Sequence, residues 1–119
     1  MQRKSGAIMA GYVPLEIEQW SDFARVITVK AADGAAQNLV GYTISSQMRK
    51  SPYSLTAITL HSYFSDAANG EITMSESAAN TGNIASGRYL YDVLSTSSGG
   101  LVQRLVEGIV VVNPGITHV

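Results

Sequence analysis

Gly87-Arg88-Tyr89-Leu90-Tyr91-Asp92-Val93, then Thr96-Ser97-Ser98-Gly99-Gly100, then Leu101 to Val112: the fold is decided by how this stretch reads. Tyr89, Tyr91 and Val93 alternate with Arg88, Leu90 and Asp92, the two-residue period of a strand with unlike faces. The Ser/Gly cluster is a turn signal, and the apolar run after it makes a second long strand. Together they read as the last hairpin of an antiparallel sheet. The alternation of the second strand puts Val102, Arg104, Val106, Gly108, Val110 and Val112 on one face. Leu101, Gln103, Leu105, Glu107, Ile109 and Val111 take the other.

Working outward, the same period recurs. Val13 to Gln19 alternates Val13, Leu15 and Ile17 with Glu16 and Glu18. Pro14 has no amide to donate, so this strand is expected at a sheet edge. Phe23 to Lys30 is a second strand, ended by the turn Ala32-Asp33-Gly34-Ala35. Leu39 to Arg49 is a third, with Tyr42, Ile44, Ser46 and Met48 facing inward and Thr43, Ser45, Gln47 and Arg49 outward. Lys50-Ser51-Pro52-Tyr53 breaks it. Leu55 to Phe64 is a fourth, closed by Ser65 to Gly70, and Glu71 to Ser75 a short fifth. Glu76 to Ser86 is the one helical candidate, with Gly82 and two asparagines limiting it to about a turn.

About seven short strands with turn signals between them, and no long helical period, describe an all-β sandwich rather than an α/β fold. Gly87-x-Tyr89-x-Tyr91 resembles the strand before the final hairpin of immunoglobulin-like sandwiches. There a corner tyrosine lies two residues before the second core cysteine, and here Tyr91 stands in the cysteine's place. The expected architecture is therefore an immunoglobulin-like antiparallel β-sandwich over residues 13 to 115. A flexible N-terminal arm over 1 to 12 precedes it and a short tail over 116 to 119 follows. Residues 1 to 12 are small, polar and without period, which makes them an arm that orders only against a neighbour. Met9 is an alternative start.

Composition excludes several function classes. The 119 residues suffice for one domain with one core. The net charge is -1 and the eight Lys and Arg are scattered, so there is no basic stripe for nucleic acid. No apolar run is long enough to span a membrane. Cysteine is absent, which rules out disulfides, thiolate metal sites and thiol catalysis. The charged fraction of 14% is low against roughly 25% for an average globular chain, so the surface is inexpensive to desolvate against a partner.

The residues carry no chemistry. His61 and His118 have no partner at metal-ligand spacing. Glu16 and Glu18 share one solvent face and do not form an acid/base pair. Asp33-Gly34 and Asp66 to Gly70 are turns without the regular acid spacing of a calcium loop. No serine sits in Gly-x-Ser-x-Gly. No catalytic residue, metal or cofactor is expected. Contact residues are expected instead. Tyr12, Trp20 and Tyr53 offer rigid aromatic area, Arg49 and Lys50 form a basic loop, and Pro14 marks an edge.

A set of ordered motifs adds a family resemblance. These are Met9-Ala10-Gly11-Tyr12-Val13-Pro14-Leu15, Leu39-x-Gly41-Tyr42-Thr43, Ser46-Gln47-Met48-Arg49-Lys50-Ser51 and Gly87-Arg88-Tyr89-Leu90-Tyr91-Asp92. Asn69-Gly70-Glu71-Ile72 and Val106-Glu107-Gly108-Ile109-Val110-Val111 join them. Over residues 9 to 115 the chain resembles small virion proteins of marine tailed phages, cyanophage type. The resemblance implies a β-sandwich with a structural role in the tail, baseplate, neck or head decoration, assembled in the host cytoplasm. It implies partners that are copies of the chain and other virion proteins, and the composition adds the expectation of no nucleic-acid or membrane partner. A carbohydrate- or receptor-binding module exposed on the virion is the alternative.

Overall fold

The computed structural model describes residues 11 to 118. Among the described residues, nine strands form two facing sheets: β1 Gly11–Tyr12, β2 Leu15–Glu18, β3 Phe23–Thr28, β4 Thr43–Arg49, β5 Ile58–Thr59, β6 His61–Asp66, β7 Glu71–Glu76, β8 Gly87–Thr96 and β9 Val102–Asn113. The larger sheet runs β1-β9-β8-β4-β5, with β2 also on β9, and the smaller runs β3-β7-β6. The smaller sheet has the B-E-D order of an immunoglobulin domain, and β9, β8 and β4 have the order G-F-C. The chain is an immunoglobulin-like β-sandwich.

Seven extended segments were expected, and the count differs because one of them breaks and a further short strand, β1, forms in residues expected as arm. Pro14 lies between β1 and β2, the latter being the segment expected over Val13 to Gln19, and both run parallel to β9, with Tyr12 beside Glu107 and Leu15 beside Val110. This edge strand is thus the parallel exception in an otherwise antiparallel sandwich. Gly11 and Tyr12 belong to the sandwich, so the arm expected over 1 to 12 is shorter at its inner end, and its first ten residues lie outside the described ones. The break falls in Leu55 to Phe64, expected as one strand. Ile58–Thr59 pairs with β4 in the larger sheet, whereas His61–Asp66 pairs with β7 in the smaller. Buried Leu60 is the pivot, its amide donating to the Ser46 carbonyl at 3.0 Å. A strand at a sandwich edge changes sheets where one buried side chain can serve both layers.

The core lies between the layers. Ile17, Met48, Tyr89, Tyr91, Val93, Val106, Val110 and Val112 come from the larger sheet, and Ile27, Ile72 and Met74 from the smaller. Tyr42 and Ile44, expected as fully inward residues, are only half-buried at the rim, where β4 begins. Tyr89 donates its hydroxyl to the Ala85 carbonyl at 2.6 Å, four residues upstream. This is the tyrosine corner that Gly87-x-Tyr89 implied. The buried hydroxyls of Ser46 and Thr81 are likewise satisfied, by the carbonyls of Asp92 and Ser21.

One face assignment is corrected. A β-bulge between Val93 and Leu94 sets Val93 against Val106 and Leu94 against Arg104, leaving Leu105 as the extra residue. Leu105 and Val106 are both buried, and the alternation changes phase there. Arg104 therefore lies outside with Glu107 and not on the Val106 face, as an uninterrupted strand would have it.

The helical piece is a five-residue helix, α1, Ala78–Gly82. Ser77 caps it by accepting from the Asn80 amide, and Asp22 accepts from Ala78. Gly82 ends it under the ring of Trp20, where an added Cβ would fall 2.4 Å from the indole. That glycine is fixed by packing as much as by helix propensity.

Candidate binding face

The register of the larger sheet builds a cleft on its outer surface. Tyr12 of β1, Glu107 of β9, Asp92 of β8 and Gln47 of β4 are successive partners across four strands. Two residues along, Ile109, Leu90 and Arg49 form a second row. The loop after β4 bounds one end with Ser51 and Pro52, and the open cleft has a volume of about 470 Å³.

Its charges cancel internally. The Arg104 guanidinium is 3.2 Å from Asp92 and 3.8 Å from Glu107. Arg49 donates to the Ser54 carbonyl at 2.5 Å and to the Gln47 side chain at 3.1 Å. These pairs are half-exposed and contribute little stability. They hold side chains in place around an apolar centre made of Tyr12, Leu90, Ile109 and Pro52. Two cations and two carboxylates leave no net field for a polyanion.

Arg49 also fixes the loop that follows. With its guanidinium on the Ser54 carbonyl, and Ser54 donating to Ser51 and Thr56, the loop turns tightly and points Tyr53 and Leu55 outward. Tyr53 is 91% exposed and Leu55 99% exposed, on a loop held by its own hydrogen bonds. Tyr12, at 64%, stands on the opposite bank of the cleft.

Behind the face, the edge strand is pinned at Gly108. The Val13 amide donates to the Glu107 carbonyl at 2.9 Å, and the Val13 carbonyl accepts from the Tyr91 hydroxyl at 2.5 Å. A Cβ at Gly108 would sit 2.4 Å from that carbonyl oxygen and 3.1 Å from the Tyr91 ring. Burial pushes the Tyr91 phenol well above its ordinary range, against the opposing pull of Arg25. Burial also raises Tyr89. Both remain hydroxyl donors at neutral pH.

Of the contact residues expected from sequence, Tyr12 and Arg49 line the cleft and Tyr53 lies on its rim loop. Lys50 turns away: its ammonium lies 4.2 Å from the centroid of the Tyr89 ring, covering the tyrosine corner. Pro14 is exposed at the break between β1 and β2. Trp20 is a packing residue apart from the face, stacked on His118 at 4.7 Å and half-buried over Gly82 and Gly115. Leu90, Ile109, Asp92, Glu107 and Arg104 were missed. The outward phase of β8 held the signal, since Leu90 is an apolar residue between Arg88 and Asp92. Among the described residues no group of three or more His, Asp or Glu is placed to hold a metal ion. No helix among them is long and apolar enough to cross a membrane.

No protein-family model and no curated protein matches the chain. Among solved structures it is similar to the internalin-like protein lmo2027 of Listeria monocytogenes. That match has a TM-score of 0.45 and 15% identity, and covers 89% of this chain and 29% of that one. Murine CRIg is similar at a TM-score of 0.42 and 10% identity, covering 87% and 92%. CopC from Methylosinus trichosporium OB3b follows at 0.40 and 14%, covering 92% and 89%. The chain thus spans under a third of the internalin-like protein. Strand order and the tyrosine corner carry the fold assignment, and these distant similarities add nothing about ligand or partner.

Proposed function

We propose that the chain is a non-enzymatic structural protein of a tailed-phage virion, working by protein–protein assembly through the outer face of its larger sheet. The observation that carries the assembly reading is the pair Tyr53 and Leu55, almost fully exposed on a loop that Arg49 holds in shape, beside an apolar, charge-balanced cleft. Rigid aromatic and aliphatic anchors next to a pocket are what protein interfaces use. The low charge of the chain lowers the cost of covering it. The motif resemblance over residues 9 to 115 supplies the virion setting, and the partners proposed are copies of the chain and neighbouring virion proteins.

The test is a Tyr53→Asp, Leu55→Asp double variant of the full chain. It is expected to fold with the parent's melting temperature and to lose association with purified particles. Parent-like association would overturn the assignment of this face. The second reading, a carbohydrate-binding module, is favoured by Tyr12 heading a row with Glu107, Asp92 and Gln47, an aromatic ring at the end of a line of hydrogen-bonding groups. It requires the isolated chain to bind glycans as a monomer and to lose binding in Tyr12→Ala.

A further inference from the structure

The segment after β9 folds back over the turn between β2 and β3. The last ladder pair is Glu18 beside Asn113, and the Gln19 amide then donates to the Asn113 carbonyl at 3.0 Å. Pro114 has no amide to donate. Among the described residues, the one hydrogen bond made by 114 to 118 is the Gly115 amide donating to Gln19 Oε1 at 3.0 Å. The same Gln19 side chain donates to the Ile84 carbonyl at 2.7 Å, so the acceptor is itself held in place. His118 then stacks on Trp20, the chain's single tryptophan, with ring centroids 4.7 Å apart and planes 24° apart. Glycine at 115 permits this approach, because a Cβ there would fall 2.7 Å from the Gln19 carbonyl oxygen and 3.1 Å from the indole. Ile116 is 95% exposed, so the segment puts no apolar anchor into the core.

Trp20 is also the one non-glycine residue at positive φ among the described residues, at 67°. The Ser21 amide donates to the Glu18 carbonyl at 3.2 Å, closing a turn with Trp20 in its third position. A positive φ there is ordinarily supplied by Gly or Asn. A bulky residue in that region stores strain and persists only where its surroundings over-determine it, and such residues cluster at clamps and switches. Here the surroundings are Gly82, against which the indole lies, and the segment 114 to 118.

We propose that residues 114 to 118 are a releasable strap that masks Trp20. Closed, the strap covers the indole and uses the Gln19 amide oxygen. Open, it swings from Pro114 and presents the indole and that oxygen side by side. One hydrogen bond and one ring stack hold it, both outside any ladder, which places it among the elements that open without the rest of the fold. A partner that replaces the strap has to supply what the strap supplies: an N–H donor for Gln19 Oε1 and a planar ring for the indole. Trp20 is then a contact residue in the open state and a packing residue in the closed one. The strap belongs to the isolated chain and does not depend on the assembly face of the larger sheet.

The test is residue-resolved hydrogen exchange on the full chain together with acrylamide quenching of the Trp20 fluorescence, for the parent and for His118→Ala. In the parent the Gly115 amide is expected to be protected about tenfold or more over the unstructured rate, yet to exchange about a hundredfold or more faster than Val110, with no dependence on low urea. His118→Ala is expected to speed exchange at Gly115 about threefold or more and to raise quenching of Trp20, with Val110 unchanged. An unprotected Gly115 amide in the parent would show that the strap is not closed and would overturn the proposal. Exchange of Gly115 at the Val110 rate, with the same urea dependence, would make the segment a fixed part of the fold and overturn it as well. Quenching unchanged in His118→Ala would show that the strap does not mask the indole, with the same consequence.

Discussion

Gly108→Ala tests how tightly the edge strand is held to the sandwich. The new methyl would lie 2.4 Å from the Val13 carbonyl oxygen, 2.9 Å from its carbon and 3.1 Å from the Tyr91 ring. Two of those contacts are backbone, which cannot rotate away as a side-chain tip can. Relief requires moving the chain at Val13 off β9, and that breaks the Val13–Glu107 and Tyr91–Val13 hydrogen bonds. Each bond contributes about 1 kcal/mol net, and an overpacked methyl costs about 1–3 kcal/mol. Allowing for overlap between these effects, the expected loss is about 2–4 kcal/mol. For a domain of this size that is a fall in Tm of roughly 10–20 °C. The assay is thermal unfolding by circular dichroism, with Gly99→Ala as control. Gly99 has only the Ser97 hydroxyl near its added methyl, at 3.9 Å, and its substitution should change stability by less than about 0.5 kcal/mol. If Gly108→Ala melts with the control, the edge strand is not clamped at Val13.

Tyr91→Phe removes one buried hydrogen bond and should cost about 1–2 kcal/mol, measured by urea unfolding at pH 7. The same variant has a pH signature. Burial raises the Tyr91 phenol in the folded chain, so the stability it contributes is full below about pH 10 and is lost as pH rises beyond that. The parent should therefore weaken above about pH 10, and Tyr91→Phe should weaken less, as read from Tm against pH. Tyr89→Phe opens the tyrosine corner and should cost about 0.5–1.5 kcal/mol in the same unfolding assay. Arg104→Ala breaks only half-exposed ion pairs and should shift stability by less than about 1 kcal/mol.

The period-2 alternation made the seven extended segments legible, because a sandwich strand presents one face to the core and one to solvent. Tyr89 was legible as a corner because its partner is local, four residues back. What alternation could not carry were the events set by tertiary contact. The sheet change at Leu60 depends on Ser46 of another strand. The bulge at Leu105 depends on the facing Val93, and without it Arg104 reads on the wrong face. Gly108 is a glycine because Val13 passes over it, a contact across roughly a hundred residues of chain. The binding face was legible only in fragments. Tyr12, Arg49 and Tyr53 stood out by residue type, whereas Leu90, Ile109 and Glu107 join them only through strand register. Trp20 stood out by type as well, and its ring is occupied by His118, Gly82 and Gly115.

A reconstruction, at a resolution that resolves strands, of the particle to which the chain is proposed to belong would show directly whether this face is an assembly surface. Sandwich density for this chain is expected there, with the Tyr12, Tyr53 and Leu55 face covered by a neighbouring protein or by another copy. A particle without this chain, or one in which that face points into solvent while other surfaces make the contacts, would contradict it.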